Sequence, residues 1–214
     1  MRLEATRLLA SLPDAQLSVA QRARREQAIK EYIEAQDAAA DLAGGPMNLA
    51  TLELARGRLD EAEKSYREAL VLEPALVPAW LNLADLYRLR GNEAQAGEAI
   101  ASALAIAPEA ATVHHALGLQ LVRTGQQAQA LEELARAHSL APDDARYAYV
   151  LAVALNSAGR GGEGIDIASE ASRSNPVDAS LLQLLASLYR DQGKMPEAAA
   201  AMRRLGELNT ALAK

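Results

Sequence analysis

The sequence contains few side chains of the kinds that perform chemistry. Its three histidines are His114, His115 and His138. Adjacent residues point in different directions on a helix, so His114 and His115 do not form the i, i+4 ligand pair of a helical metal site. The chain has no cysteine, which excludes thiolate ligands, disulfides and a cysteine nucleophile. We therefore expect no metal site and interpret His114 as a packing residue.

A glycine-rich stretch, GRGGEG at 159–164, is a candidate phosphate-binding loop. Such a loop follows a strand and is followed by Lys-Ser or Lys-Thr, and neither feature is present. The stretch instead predicts a loose turn and a frayed helix start. No serine lies in a G-x-S-x-G turn, and no pair of carboxylates is singled out among the many acidic residues. The sequence therefore predicts a protein that is not an enzyme and uses no cofactor.

The elements that carry these residues follow a 34-residue period. Five glycines keep this spacing: Gly57, Gly91, Gly125, Gly159 and Gly193. Four prolines keep it as well: Pro74, Pro108, Pro142 and Pro176. A fixed period of this length indicates one supersecondary unit that is repeated along the chain. We number each unit 1 to 34, with the glycine at position 15 and the proline at position 32.

Within each unit the apolar residues indicate two helices. Positions 4, 7, 8 and 11 form one face of a helix that ends at the glycine. Positions 20 and 27 are almost all alanine, which lets a second helix pack closely against the first. Proline at position 32 cannot continue that helix. Each unit is therefore predicted to be a helical hairpin that buries its apolar face against neighbouring units.

This pattern resembles the tetratricopeptide repeat (TPR) over residues 43–212 of the 214. Unit 77–110 matches it most completely, through Trp80, Leu83, Ala84, Tyr87, Gly91, Ala96, Ala103 and Pro108. The resemblance implies an all-α, right-handed α-solenoid of five TPR hairpins. The predicted repeats are 43–76, 77–110, 111–144, 145–178 and 179–212.

Residues 1–42 are predicted to form an N-terminal helical cap or connector with two helices, 2–11 and about 18–41. The first has leucines on one side: Leu3, Leu8 and Leu9. The second carries residues that fall at positions 20, 24 and 27 if the repeat numbering is extended backwards: Ala28, Tyr32 and Ala35. We predict that this helix covers the first repeat as a degenerate second helix.

Composition limits the classes of partner. A net charge of −6 and a pI near 5.2 disfavour nonspecific binding to nucleic acid. No apolar run approaches the roughly 20 residues that span a membrane, so we expect no membrane insertion. The start, MRLEATRLLA, lacks the apolar core of a secretion signal. We therefore expect a cytoplasmic protein, or a periplasmic one if the chain is part of an exported protein.

The resemblance also implies where a partner would bind, because positions 2, 5, 6, 9, 12 and 13 of the first TPR helix line a concave groove. From these positions we select ten polar or aromatic residues as candidates: Asn48, Asn82, Asp85, Arg88, His115, Arg123, Tyr149, Asn156, Gln183 and Arg190. This set is hydrogen-bonding and modestly basic, which suits an extended or helical peptide with some acidic character. The sequence therefore predicts a protein-interaction scaffold with a protein or peptide in the groove.

Chaperone-binding TPR domains clamp a C-terminal carboxylate with lysine, asparagine and arginine at fixed positions. This chain has Met47, Thr51, Asn82, Thr112 and Ala116 at those positions. Only Asn82 matches, so we do not expect a carboxylate clamp.

Two alternative functions stay open. Met202, Leu205 and Leu208 on the last helix would face the place where a further helix normally packs, which predicts a possible homo-oligomer. In addition, residues 114–126 and 133–160 resemble the TPR part of bacterial multihaem cytochrome c proteins. That resemblance implies the repeat domain of a larger exported electron-transfer protein, although no haem-attachment motif is present in this chain.

Overall fold

The computed structural model describes residues 6, 8–38 and 41–212. A short 3₁₀ helix, Asp14–Gln16, comes first. The α-helices that follow it are α1 (Val19–Asp37), α2 (Gly44–Ala55), α3 (Leu59–Leu72), α4 (Val77–Leu89), α5 (Glu93–Ile106), α6 (Ala111–Arg123), α7 (Gln127–Leu140), α8 (Ala145–Ser157), α9 (Gly161–Ser174), α10 (Ala179–Asp191) and α11 (Met195–Leu212). No strand occurs in the described residues.

From α2 onwards the helices pair as five consecutive hairpins, one for each predicted repeat. The predicted all-α TPR solenoid is therefore confirmed. The chain divides into two compact units, Met1–Ile106 and Ala107–Lys214. The first unit holds α1 to α5 and the second holds α6 to α11. The division into a cap at 1–42 and a repeat domain at 43–212 stays a prediction.

The glycine at position 15 closes the first helix of every repeat. All five of these glycines have φ between 70° and 79°, and the described residues hold no other residue with positive φ. At the first of these turns, the Gly57 N–H donates to the Leu54 carbonyl at 3.0 Å and the Arg58 N–H donates to the Glu53 carbonyl at 2.8 Å. This is the Schellman motif, in which a left-handed residue lets the chain satisfy the last helix carbonyls and turn back. The other four turns repeat both hydrogen bonds.

Small residues let the two helices of a hairpin approach closely. Gly164 of α9 lies so near α8 that a Cβ atom placed on it would be 2.7 Å from the Ala152 carbonyl oxygen. The prediction of a loose turn and frayed helix at 159–164 is therefore wrong, because α9 begins at Gly161 and both Gly161 and Gly164 are buried. Glycine is required here by packing, since even a methyl group would collide with the neighbouring backbone.

The cap helix differs in detail from its prediction. α1 begins after Ser18, whose side chain and that of Gln21 form a reciprocal capping box, and it ends at Asp37 rather than Asp41. Its buried face is Ile29, Tyr32 and Gln36, whereas Ala35 is exposed. The backward extension of the repeat numbering therefore places the buried face of α1 one residue away from where it lies, except at Tyr32.

Two of the three leucines expected on one side of the first cap helix are exposed. Leu8 is 65% and Leu9 is 42% exposed, whereas Ala10 is buried and packs with Ile29, Tyr32 and Leu52. Leu3, the remaining leucine of that prediction, lies outside the described residues.

In two of the repeats, the side chain at position 4 ties the first helix to the turn before it. Trp80 Nε1 donates to the Pro74 carbonyl at 2.9 Å, and His114 Nε2 occupies the equivalent place, 2.8 Å from the Pro108 carbonyl oxygen. His114 Nδ1 lies 2.6 Å from Glu133 Oε2. The buried imidazole thus takes the place of the repeat tryptophan and adds a contact to α7.

Candidate functional site

In the first compact unit, the predicted groove residues already have partners within the unit. Asn48 Nδ2 donates to Gln36 Oε1 at 2.8 Å, which ties α2 to the cap helix. The Asn82 side chain lies near the buried Tyr66 hydroxyl and influences its pKa, although burial is the larger influence and raises that pKa. The remaining two, Asp85 and Arg88, form an exposed ion pair at 3.3 Å, whose charges cancel locally. In this part of the predicted groove, the side chains therefore largely contact other residues of the same unit.

In the second unit, more of the predicted groove residues face solvent. Tyr149 on α8 is 37% exposed, and Arg123, Gln183 and Arg190 are exposed as well. Asn156 differs from these, because its Nδ2 donates to Asp191 Oδ2 at 2.9 Å and links α8 to α10. Accessible polar and aromatic side chains are thus concentrated on α6, α8 and α10.

Two exposed apolar side chains at groove positions of the second unit were not named from the sequence. Val122 at position 12 is 49% exposed, and Val153 at position 9 is 39% exposed. These two valines add exposed apolar surface to the same set of positions that holds Tyr149. The repeat numbering already contained the signal. The sequence interpretation missed it because it selected only polar and aromatic residues.

The charged residues at the second-unit groove positions are mostly basic. Arg123, Arg146 and Arg190 occupy these positions, against a single acidic residue, Asp191. Arg146 also contacts Asp144 at 3.2 Å. The positive balance contrasts with the net charge of −6 for the whole chain. A guanidinium group can bind a carboxylate through two parallel hydrogen bonds, so this surface favours acidic side chains in a partner.

His115 lies half-buried against the same surface. Its ring centroid is 5.0 Å from that of Tyr147, and the Arg146 guanidinium carbon lies 4.8 Å from the Tyr147 ring centroid. Burial, reinforced by the nearby Arg146 charge, lowers the pKa of His115 below its ordinary value of 6.5, against a smaller opposing effect of Asp144. His115 is therefore neutral at neutral pH and contributes a ring surface rather than a charge.

The last helix presents only part of its predicted self-association surface. Met202 is 53% exposed and Leu208 is half-buried, but Leu205 is 6% exposed and belongs to the core of its own chain. The placement of Leu205 on an open face is therefore corrected, since position 27 packs inside the hairpin in this repeat as in the others.

Among residues 6, 8–38 and 41–212, no group of three or more histidine or acidic side chains is arranged to hold a metal ion. Within the same residues, no helix combines the length and the apolar character that crossing a membrane requires.

Structural comparison finds several solved proteins with the same helical arrangement. MamA of Desulfovibrio magneticus RS-1 is 22% identical, with a TM-score of 0.66, over 79% of this chain and 96% of that chain. YrrB, described as a TPR protein with an unusual peptide-binding site, is 20% identical, with a TM-score of 0.59, over 83% and 91%. PilF of Pseudomonas aeruginosa is 21% identical, with a TM-score of 0.68, over 81% and 78%.

At these identities the likeness concerns the fold. A search of curated proteins finds no match. The family model for the tetratricopeptide repeat matches residues 47–111, 115–171 and 159–210, which is most of the chain. Together these three segments cover nearly all of the five hairpins, including their glycine turns. The chain therefore belongs to the tetratricopeptide repeat family.

Proposed function

We propose that the protein is a non-catalytic interaction scaffold that binds a peptide segment of a partner protein on the groove positions of α6, α8 and α10. The observation that carries this proposal is the exposure of apolar and basic side chains at groove positions of three helices of one unit: Val122 and Arg123 on α6, Tyr149 and Val153 on α8, and Arg190 on α10. The TPR fold is generally a protein-interaction module, which supports the same class of function.

The chemistry of these side chains indicates what the segment contains. Covering the three exposed apolar side chains removes hydrocarbon surface from water, which favours binding by roughly 25 cal/mol per Å². The arginines favour carboxylates, so the preferred ligand has apolar anchors flanked by Asp or Glu. A peptide-binding site is described for the structurally similar YrrB, which supports a peptide as ligand here.

The experiment is affinity capture from the source organism, with the wild-type chain and a Tyr149→Ala/Arg190→Ala variant as parallel baits. The matched control is Arg173→Ala/Arg204→Ala, which removes two exposed arginines of the same unit outside the groove positions. We expect a partner that binds wild type and control but is lost from the groove variant. Circular dichroism and thermal unfolding should show that all three baits fold alike.

A partner that binds the groove variant as well as the wild type would overturn the proposal. A wild-type bait that retains no partner would overturn it as well. A competing synthetic peptide, made from the partner segment that cross-links to the second unit, should release the captured protein from the wild type.

Self-association through the last helix is a second candidate, because Met202 is more than half exposed at a position that is buried in earlier repeats, as at Tyr66 and Ile100. We expect Met202→Glu to abolish any concentration-dependent increase in mass measured by sedimentation equilibrium. The exposed Arg203→Glu variant of the same helix is the control for added negative charge. A wild-type chain that stays monomeric at high concentration would exclude this candidate.

A further inference from the structure

Within the described residues, three surface clefts lie between second helices of consecutive repeats, at equivalent places in the repeat numbering. The first cleft lies between α3 and α5, the middle cleft between α7 and α9, and the last cleft between α9 and α11. Each has an apolar floor made by positions 7 and 11 of the first helix in between, for example Leu151 and Leu155 in the middle cleft. None of the three uses the groove positions on which the proposed function depends.

The middle cleft is the largest of the three. Its volume is about 660 Å³, compared with about 470 Å³ for the first and about 380 Å³ for the last. Two substitutions within the repeat pattern account for this. Position 25 is Ala135 in the middle cleft but Arg67 in the first, and position 11 is Leu155 where the other two clefts have tyrosine. The shorter side chains of the middle cleft leave open a volume that the arginine or tyrosine side chains occupy in the other clefts.

The walls of the middle cleft are acidic on both sides. Glu132 on α7 and Asp166 on α9 are exposed, and neither forms an ion pair within the described part of the chain. A third acidic residue, Glu163, is paired with Arg160 at 2.7 Å. The apolar floor is thus flanked by two carboxylates without a counter-charge.

We propose that the middle cleft is a second docking surface, which binds a cationic amphipathic helix of a partner protein. Apolar side chains at i, i+3, i+4 and i+7 of that helix would cover the partly exposed Leu131 and Ile167, which pack on the buried Leu151 and Leu155. Lysine or arginine on the two flanks of that helix would then pair with Glu132 and Asp166. Such pairing between opposite charges is strongest where the partner helix excludes water from the surface. The occupant therefore has the opposite charge from the acidic peptide proposed for the groove positions.

The probe is a synthetic helical peptide of about 18 residues, or five turns, with leucines at the spacing above and lysines on both flanks. A peptide of the same composition with its leucines spread around the helix is the control ligand. Fluorescence anisotropy measures binding to the full chain at about 50 mM salt, where exposed charges are least screened. We expect the amphipathic peptide to bind at least about tenfold more tightly than its control.

Ala135→Arg tests the location, because it fills the cleft with the side chain that the first repeat already carries at this position. We expect this variant to bind the amphipathic peptide at least about tenfold more weakly than the wild type does. Ser169→Arg makes the equivalent change in the last cleft and should leave binding unchanged. Glu132→Lys/Asp166→Lys should weaken binding as well, whereas Glu170→Lys/Glu207→Lys, which changes the net charge equally, should not.

Equal binding to wild type and Ala135→Arg would overturn the proposal, as would no preference for the amphipathic peptide over its control. If the wild type forms an oligomer that Ala135→Arg dissociates, the occupant is a second copy of the chain and the partner helix is excluded. The Tyr149→Ala/Arg190→Ala variant should bind the probe like the wild type, so failure here is distinct from failure of the proposed function.

Discussion

The imidazole of His115 is held in its neutral form by its surroundings. Burial lowers its pKa, and the guanidinium of Arg146 lowers it further. An unfolded chain would bind a proton at about pH 6.5, before the folded chain does. Protonation therefore favours unfolding, so the free energy of unfolding is unaffected by His115 above about pH 6.5 and falls as the pH drops below it.

We expect the His115 resonances to titrate with a midpoint below 6.5 in a proton NMR experiment. Between about pH 7.5 and 5.5, the wild type should lose more stability than His115→Gln, which cannot take up the proton. Urea unfolding at both pH values measures this difference. A midpoint at or above 6.5 would contradict the assignment of burial as the dominant influence.

Single residues were the least predictable level of the structure. The repeat numbering identified Tyr149 and Arg190 as groove residues, and both are exposed. It could not show that Asn48 donates a hydrogen bond to Gln36, because that contact depends on how far the two side chains reach between helices. Binding at any of these positions stays a prediction.

At the scale of helices, Gly164 sets how closely α8 and α9 approach. We expect Gly164→Ala to lower the free energy of unfolding by about 1–3 kcal/mol, since the added methyl group collides with the Ala152 carbonyl. Gly162→Ala in the same helix is the control, because a Cβ there has nothing within 4 Å. Alanine favours helix over glycine by up to about 1 kcal/mol, so the control should be neutral or stabilising. Equal effects of the two variants in urea unfolding would disprove the close-approach argument.

Glu63 joins α3 to the following helix through its carboxylate. Burial alone would raise the pKa of Glu63, but hydrogen bonds from Tyr87, Arg67 and Arg90, at 2.8, 2.9 and 2.5 Å, outweigh it and lower the pKa. A lowered carboxyl pKa contributes stability that is present above the ordinary value of 4.5 and is lost as the pH falls through the folded value.

We therefore expect Glu63→Gln to cost about 1–2 kcal/mol at neutral pH, and the cost to shrink as the pH falls below about 4.5. Thermal or urea unfolding across this pH range measures it. Glu68→Gln removes an exposed pair with Lys64 at 3.8 Å and should change stability little. A pH-independent cost for Glu63→Gln would indicate lost packing instead of lost charge.

The ends of the first helices were predicted well because each lies at a glycine turn. The left-handed backbone conformation of these turns strongly favours glycine, so the residue type marks the turn in the sequence. The cap lacks that signal. α1 has no glycine at its end, and its buried face could not be found by counting backwards from the repeats, since the connection before Gly44 does not keep the repeat length.

At the scale of the whole molecule, each compact unit is built from helices that contact chiefly their chain neighbours within that unit. Stability should therefore respond locally to a core mutation. We expect Leu205→Ala, which empties a buried site on α11, to cost about 2–5 kcal/mol and to accelerate amide hydrogen exchange in α10 and α11. Exchange in α6 and α7 should stay as in the wild type. Uniform acceleration along the chain, measured by mass spectrometry, would show that the repeats unfold as one cooperative body.

The fold was predictable from the sequence because five copies of one pattern reinforce each other, so an irregular unit such as 145–178 does not obscure the rest. The exposed clefts were not predictable in the same way. Ala135 and Leu155 look like ordinary repeat residues, and only their combination around one floor reveals the extra volume.

The Schellman turns affect how the gene that encodes this protein can gain or lose length. Because every hairpin closes its own turn, duplication or loss of 102 nucleotides, three for each of 34 residues, adds or removes a complete unit in phase. Deleting one codon inside a helix would rotate everything beyond it by about 100° relative to the preceding turn and bring polar side chains into the core. Recombination between copies should therefore produce viable proteins of different length, whereas small in-frame deletions should be selected against.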